Sequence, residues 1–220
     1  MIDFTGVTAA QIPEGICTKI TRKSDGAVMW EKPTSGELPS GYTRLKYIEF
    51  TGSQAVDTGV IPDYNTKIEC VFMRKTSESR YLYGVLSTNH TASVTAYLTN
   101  TTGNWRFCGT TKTFAVSQNA KHTTTQSAAG VLFNGKLTSY TGVSAVTAPS
   151  SLIIGSARNT SGGLESTYMI GWIYEFRMYD GDVLTADYIP ARNPDGDCGF
   201  WDKISRVFKT SITGTALFGA

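Results

Sequence analysis

Catalytic side chains are scarce in this chain of 220 residues. It has two histidines, His90 and His122, in no metal-spaced pair, and it lacks the G-x-S-x-G turn that presents a serine nucleophile. No two of its 22 glycines are separated by a single residue, and no complete P-loop occurs, so a nucleotide cofactor is not expected. Charge of one sign is also missing. Twenty Lys and Arg against eighteen Asp and Glu leave +2, with the basic residues scattered, which excludes the footprint of a nucleic-acid binder. Long apolar runs are absent, and the opening MIDFTGVTAAQIPEG has neither a basic start nor an apolar stretch. No secretory signal and no membrane insertion are expected, so the reading is synthesis in a cytosol with release by lysis.

Cysteine is sparse as well. Cys17, Cys70, Cys108 and Cys198 are far apart and form no C-x-x-C pair, which removes the usual zinc and thioredoxin readings. Cys70 alternates with Ile68 and Phe72, where a free thiol acts as a small core hydrophobe. Three N-x-S/T sequons start at Asn89, Asn100 and Asn159 and read as chance matches in a Thr-rich chain.

What is present is β-pattern. Residues 1–32 read as a separate small unit, followed by a Pro- and Gly-punctuated linker at 33–40 and a main domain over 41–220. In the first unit, Cys17 to Arg22 and Ala27 to Glu31 flank Ser24-Asp25-Gly26, which predicts a β-hairpin. A lone hairpin is marginal in water, so Ile20, Val28 and Trp30 are expected to pack on something else. Two destinations are open: the chain's own main domain, or a partner to which this hairpin attaches.

From Tyr42 onward period-two alternation dominates, with no helical periodicity. Ile68, Cys70 and Phe72 form one apolar set, Val94, Ala96 and Leu98 another, and Tyr174, Phe176 and Met178 a third. Gly130 to Leu137 predicts a hairpin with Asn134-Gly135 at its tip. Leu184 to Asp187 is the one segment expected to form a short helical turn. The sum is an all-β, antiparallel two-sheet sandwich.

Two segments carry a more specific likeness: GYTRLKYIEFTGSQAVDTG from Gly41 to Gly59, and the stretch from Tyr168 to Phe218 that begins YMIGWIYEFRMYDGDVL. Both resemble the opening and closing segments of a concanavalin A-like lectin/glucanase jelly roll of the laminin-G type, as found in bacteriophage and gut-bacterial surface proteins. The resemblance spans residues 36–220. It implies that the two ends meet in space and that Trp201, Asp202 and Phe208 close the core. The Asn134-Gly135 hairpin resembles a family segment that carries Asp at this place. The N-terminal VMWEK resembles the hairpin leaders of phage structural proteins.

Glucanases of this resemblance carry an E-x-D-x-x-E strand whose carboxylates flank the scissile bond. No Glu here has an Asp two residues on, so an enzyme is not expected. Sugar recognition needs an aromatic face beside directional polar groups. Trp105 with Arg106, and Arg158 with Asn159, are the candidates; Trp105 also reads as a core residue, and Arg158 and Asn159 resemble a structural A-R-N segment of the family. Asn193, Asp195 and Asp197 repeat odd-position calcium ligands, but Cys198 and Ile204 stand where an EF-hand needs Gly and Glu. Those three are calcium candidates only as part of a multi-loop site of the laminin-G kind, and otherwise mark an Asn-Pro-Asp-Gly turn.

The reading these features imply is a bacteriophage virion-associated protein. It would be displayed on the particle surface, tethered to other virion proteins through residues 1–32, oligomeric there, and bound to host or mucosal glycans. The alternative is a capsid or tail decoration module that works through protein contacts alone.

Overall fold

The computed structural model describes residues 19–21, 28–31 and 38–220. The chain divides into two units, Met1–Glu37 and Leu38–Ala220. In the first, β1 (Lys19–Thr21) pairs antiparallel with β2 (Val28–Glu31), with Ile20 opposite Trp30. The Ser24-Asp25-Gly26 turn and the side chains of Ile20, Val28 and Trp30 lie outside what is described.

The second unit is an antiparallel two-sheet sandwich of the jelly-roll class, as the alternation predicts. The smaller sheet has the order β10 (Thr110–Ala115), β9 (Thr102–Phe107), β8 (Val94–Leu98), β7 (Arg80–Val85), β14 (Ile153–Ile154), β5 (Val56–Asp57). The larger runs β13 (Lys136–Ser139), β12 (Gly130–Phe133), β11 (Lys121–Ser127), β6 (Thr66–Arg74), β15 (Ile170–Asp180), β16 (Val183–Arg192), β17 (Cys198–Asp202), β18 (Val207–Lys209). The two chain ends meet on it: β4 (Ile48–Thr51) pairs with both β15 and the terminal β19 (Phe218–Gly219), while β3 (Thr43–Arg44) pairs with β16.

Strands β6 and β9 bury alternate residues because successive side chains point to opposite faces. From β6, Ile68, Cys70 and Phe72 are buried between the sheets, together with Val94, Ala96 and Leu98 of β8 and Trp105 and Phe107 of β9. Cross-sheet hydrogen bonds fix how the layers sit. Tyr83 donates its hydroxyl hydrogen to Gln126 Oε1 at 2.9 Å, and Gln126 Nε2 donates to the carbonyl of Arg106 at 2.8 Å. Such a buried network is worth having only when satisfied, since an orphaned group there costs more than the bond gains.

Two glycines are set by geometry. Gly135 follows Asn134 at the β12–β13 tip with both residues at positive φ, 46° and 81°, the backbone of a type I′ turn. Gly155, at φ +82°, lies where an added Cβ would sit 2.2 Å from the Phe50 ring.

Two expectations need correction. Leu184 to Asp187 is strand, not a helical turn, because this stretch of β16 is paired along β15 and pairing overrides local propensity. The second concerns closure: Leu38, Tyr42 and Phe208 pack on Ile189, Ala191 and Trp201, a second small core on the outer side of β16 and β17. Trp201 and Phe208 thus close this outer cluster rather than the main core.

Candidate functional site

The strand register lays out the outer face of the larger sheet in rows. Lys121 of β11, Met73 of β6, Trp172 of β15 and Glu49 of β4 are aligned across four strands. The next row holds Thr123, Val71 and Glu175, and the one beyond it Thr125, Glu69, Arg177 and Asp187. This face is therefore aromatic and cationic at one end and a charged network at the other.

A β-bulge makes the aromatic end. Ile173 pairs with Phe72 but Glu175 pairs with Val71, which leaves Tyr174 as the extra residue. Burial follows Gly171 and Ile173 before the bulge and Phe176 and Met178 after it, so Trp172, Tyr174 and Glu175 all face outward. The expectation that Tyr174 shares the core face with Phe176 fails for this reason.

Tyr47, just before β4, stacks on Trp172 with ring centroids 4.1 Å apart and planes at 8°. Tyr174 meets both rings edge-on, at 5.9 Å from Tyr47 and 6.4 Å from Trp172. Lys75 Nζ lies 3.9 Å from the Trp172 centroid, so with Tyr47 on one face it must occupy the other. Trp172 is thus a prop with both faces taken. Tyr174 is covered differently, by the ammonium of the exposed Lys121 at 4.5 Å. An exposed cation–π contact is worth only about 0.5–1 kcal/mol, so this cover is easily displaced. Partial burial, and then the neighbouring Tyr47, push the Tyr174 phenol up from its ordinary value.

Beside Tyr174 is a groove of about 520 Å³ lined by Arg44, Leu45, Lys46, Lys121, Tyr174 and Glu175. A smaller one of about 160 Å³ shares Glu175 and continues over Val71, Thr123 and Thr125 to Glu69 and Arg177. Arg177 organises that end: its guanidinium reaches Glu175 at 3.1 Å, Asp187 at 3.2 Å and Glu69 at 3.8 Å. Burial opposes its charge, but Asp187 and Glu175 outweigh that and hold it more firmly protonated than an ordinary arginine. Tyr179 donates to Glu69 at 3.0 Å, and Lys203 closes the network on Asp187. These carboxylates converge on one arginine rather than facing each other across an open cleft.

The residues singled out from the sequence lie elsewhere. Trp105 is 0% exposed and packs on Phe133, Phe114 and Phe72 at 5.0, 5.5 and 6.5 Å. It offers no ring face to a sugar; its place is the core, because position 105 falls on the inward phase of β9. Arg106 points to the outer side of the smaller sheet, where its Nε donates to Thr111 Oγ1 at 3.3 Å. Arg158 forms an ion pair with Asp57 at 2.6 Å and donates to the carbonyl of Gly162 at 3.0 Å. The Asn159 Oδ1 accepts from the amides of Ser161 and Gly163 at 3.2 and 2.9 Å, so both residues shape their own loop. Asn193 Oδ1 accepts from the Asp197 amide at 2.8 Å and its Nδ2 donates to the Asp197 carboxylate at 3.3 Å, an ordinary Asx-type turn. Among the described residues no cluster of three or more His, Cys, Asp or Glu side chains has the spacing to hold a metal ion.

Sequence reasoning missed Tyr47, Trp172 and Tyr174. No alternation announced them, because Ile170, Trp172, Tyr174, Phe176 and Met178 keep one phase in the sequence and the bulge is set by the pairing of β15 with β6.

No family model matches the chain, and no curated protein matches it. Among solved structures it is similar to a native heptameric SAP-like pentraxin from Limulus polyphemus, at TM-score 0.45 and 14% identity over 62% of this chain and 76% of that one. It is also similar to domains LG4-5 of the mouse laminin alpha1 chain, at TM-score 0.44 and 15% identity over 70% of this chain. The match spans 47% of that laminin chain, about half its length.

Proposed function

We propose that this protein is a glycan-binding module of a bacteriophage particle, and that the outer face of its larger sheet is the binding face. The observation that carries the reading is Tyr174, lifted out of the core by a bulge and braced by the Tyr47–Trp172 stack beside a groove. A rigid aromatic wall with a row of hydrogen-bonding groups next to it is what a saccharide ring needs, since one face of the sugar is apolar and its edge is hydroxylated. Fold alone does not argue this, because one sandwich hosts many functions.

Recognition rather than catalysis fits the same face, where Glu69 and Glu175 are engaged by Arg177. Calcium has no part in the reading. Residues 1–32 serve as the tether to other virion proteins, in line with the likeness of VMWEK to phage leader hairpins, and oligomerisation on the particle would multiply weak single sites into avidity.

The decoration reading has one observation in its favour. Leu132 and Leu137 face each other across the edge hairpin β12–β13 at 40% and 62% exposure, an apolar pair suited to a protein contact.

A glycan array with the purified chain and its Tyr174→Ala variant separates the two. Binding by the parent that falls about tenfold or more in the variant supports the glycan reading. Absence of any bound oligosaccharide, with a folded protein, leaves the decoration reading in its place.

A further inference from the structure

The groove beside Tyr174 has a distinct charge. Arg44, Lys46 and Lys121 line it, and none of them has a carboxylate within ion-pair distance among the described residues. Lys75, on Trp172, is a fourth cation at the same end. Of the acids there, Glu175 is committed to Arg177 at 3.1 Å, and Glu49, across Trp172 in the Lys121 row, does not line the groove. A groove lined by one sign of charge focuses its field and raises the local concentration of oppositely charged ligands.

Resting on the glycan reading above, we infer that the ligand is an anionic saccharide, carrying a carboxylate or sulfate, held with its ring against Tyr174 and its acidic group among Lys121, Lys46 and Arg44. The geometry supplies the exchange. The Lys121 ammonium lies over the Tyr174 ring at 4.5 Å. A sugar ring displaces the ammonium from that face, and the flexible stem of Lys121 lets it turn to the anionic substituent instead of into water. A neutral sugar would have to displace Lys121 without offering it a new partner. Such a ligand forfeits the attraction between ammonium and ring, a factor of about two to five in affinity. The Lys121 position thus discriminates by charge as well as attracting it.

The test is an array of neutral, carboxylate-bearing and sulfated oligosaccharides, read with the full chain, with Lys121→Met and with Tyr174→Ala at two salt concentrations. Met keeps the apolar stem and removes the charge. Expected are hits confined to the acidic arms, weakened about threefold or more between 50 and 200 mM salt as screening predicts. Lys121→Met should weaken those hits about fivefold to tenfold, and Tyr174→Ala should abolish them; the carboxylate and sulfate arms identify the substituent. Hits among neutral sugars that ignore salt and survive Lys121→Met would overturn the charge inference while leaving the site standing. No hit in any arm would overturn the glycan reading itself. Lys121 is exposed at the end of β11, so its replacement leaves the fold intact, which a β-type circular dichroism spectrum verifies.

Discussion

Tyr47 lies flat on Trp172, ring centroids 4.1 Å apart, although one residue precedes the first long pairing of the chain and the other belongs to a strand near its end. The stack exists because β4 and β15 are neighbours and Tyr47 extends the β4 register by one residue to stand beside the bulge. It couples the closure of the sandwich to the shape of the aromatic face. Tyr47→Ala removes the stack and frees Trp172, with an expected loss of about 0.5–1.5 kcal/mol in urea unfolding. The same variant should weaken ligand binding more than its stability cost suggests, since Tyr174 loses its brace. Tyr47→Phe should restore both; a Phe variant as defective as Ala would show that the phenol oxygen, not the ring, matters.

Trp105 and Arg106 are adjacent in sequence and opposite in consequence. Trp105 fills the space between the sheets against three phenylalanine rings, so Trp105→Ala should cost about 3–5 kcal/mol. Arg106→Ala, on the outer side of β9, should stay within about 0.5 kcal/mol. Equal urea midpoints for the two variants would contradict this placement of β9.

The sandwich was readable from sequence wherever alternation kept one phase, as in Ile68-Cys70-Phe72, and where a turn has one chemistry, as at Asn134-Gly135. Reading failed where tertiary structure changes the phase or overrides local preference. Tyr174 looks like a core residue until one sees that β15 slips by one against β6. Leu184 to Asp187 looks like a turn until β15 claims its backbone. A Trp beside an Arg after a turn looks like a sugar platform, yet the inward phase of the strand decides which of the two is wet. The Tyr47–Trp172 stack joins residues so far apart in the chain that no local pattern announces it.

Stability should fall on the alkaline side. Burial, and then the charge of Asp63, raise the Cys108 thiol from 9.0 to about 11. Burial also raises Cys70 well above 9.0, and Tyr83, Tyr140 and Tyr188 above 10.0. From pH about 9 the unfolded chain releases protons that the folded chain still holds, so the native state binds more protons and stability decreases as pH rises. Below about pH 8 these groups are protonated in both states and contribute no slope. The urea midpoint should therefore be level from about pH 7 to 8 and drop by pH 10.5; a level or rising midpoint through pH 10.5 would mean that these groups are not buried as described.

The last expectation concerns the N-terminal unit. Among the described residues the two hydrophobic clusters are built within Leu38–Ala220, including the outer patch of Leu38, Tyr42, Ile189, Ala191, Trp201 and Phe208. Both sheets of the sandwich likewise begin at Thr43 or later. On the tether proposal, a chain lacking Met1 to Glu31 should unfold at the same urea midpoint as the full protein and bind the same oligosaccharides through Tyr174. What it should lose is attachment: in size-exclusion chromatography or in particle reconstitution, the full chain should associate and the shortened chain should remain a monomer. A two-stranded hairpin is marginal by itself, so on the tether proposal a partner surface covers Ile20, Val28 and Trp30. If the shortened chain fails to fold while the full chain is a free monomer, those three residues serve the sandwich and the tether proposal is wrong.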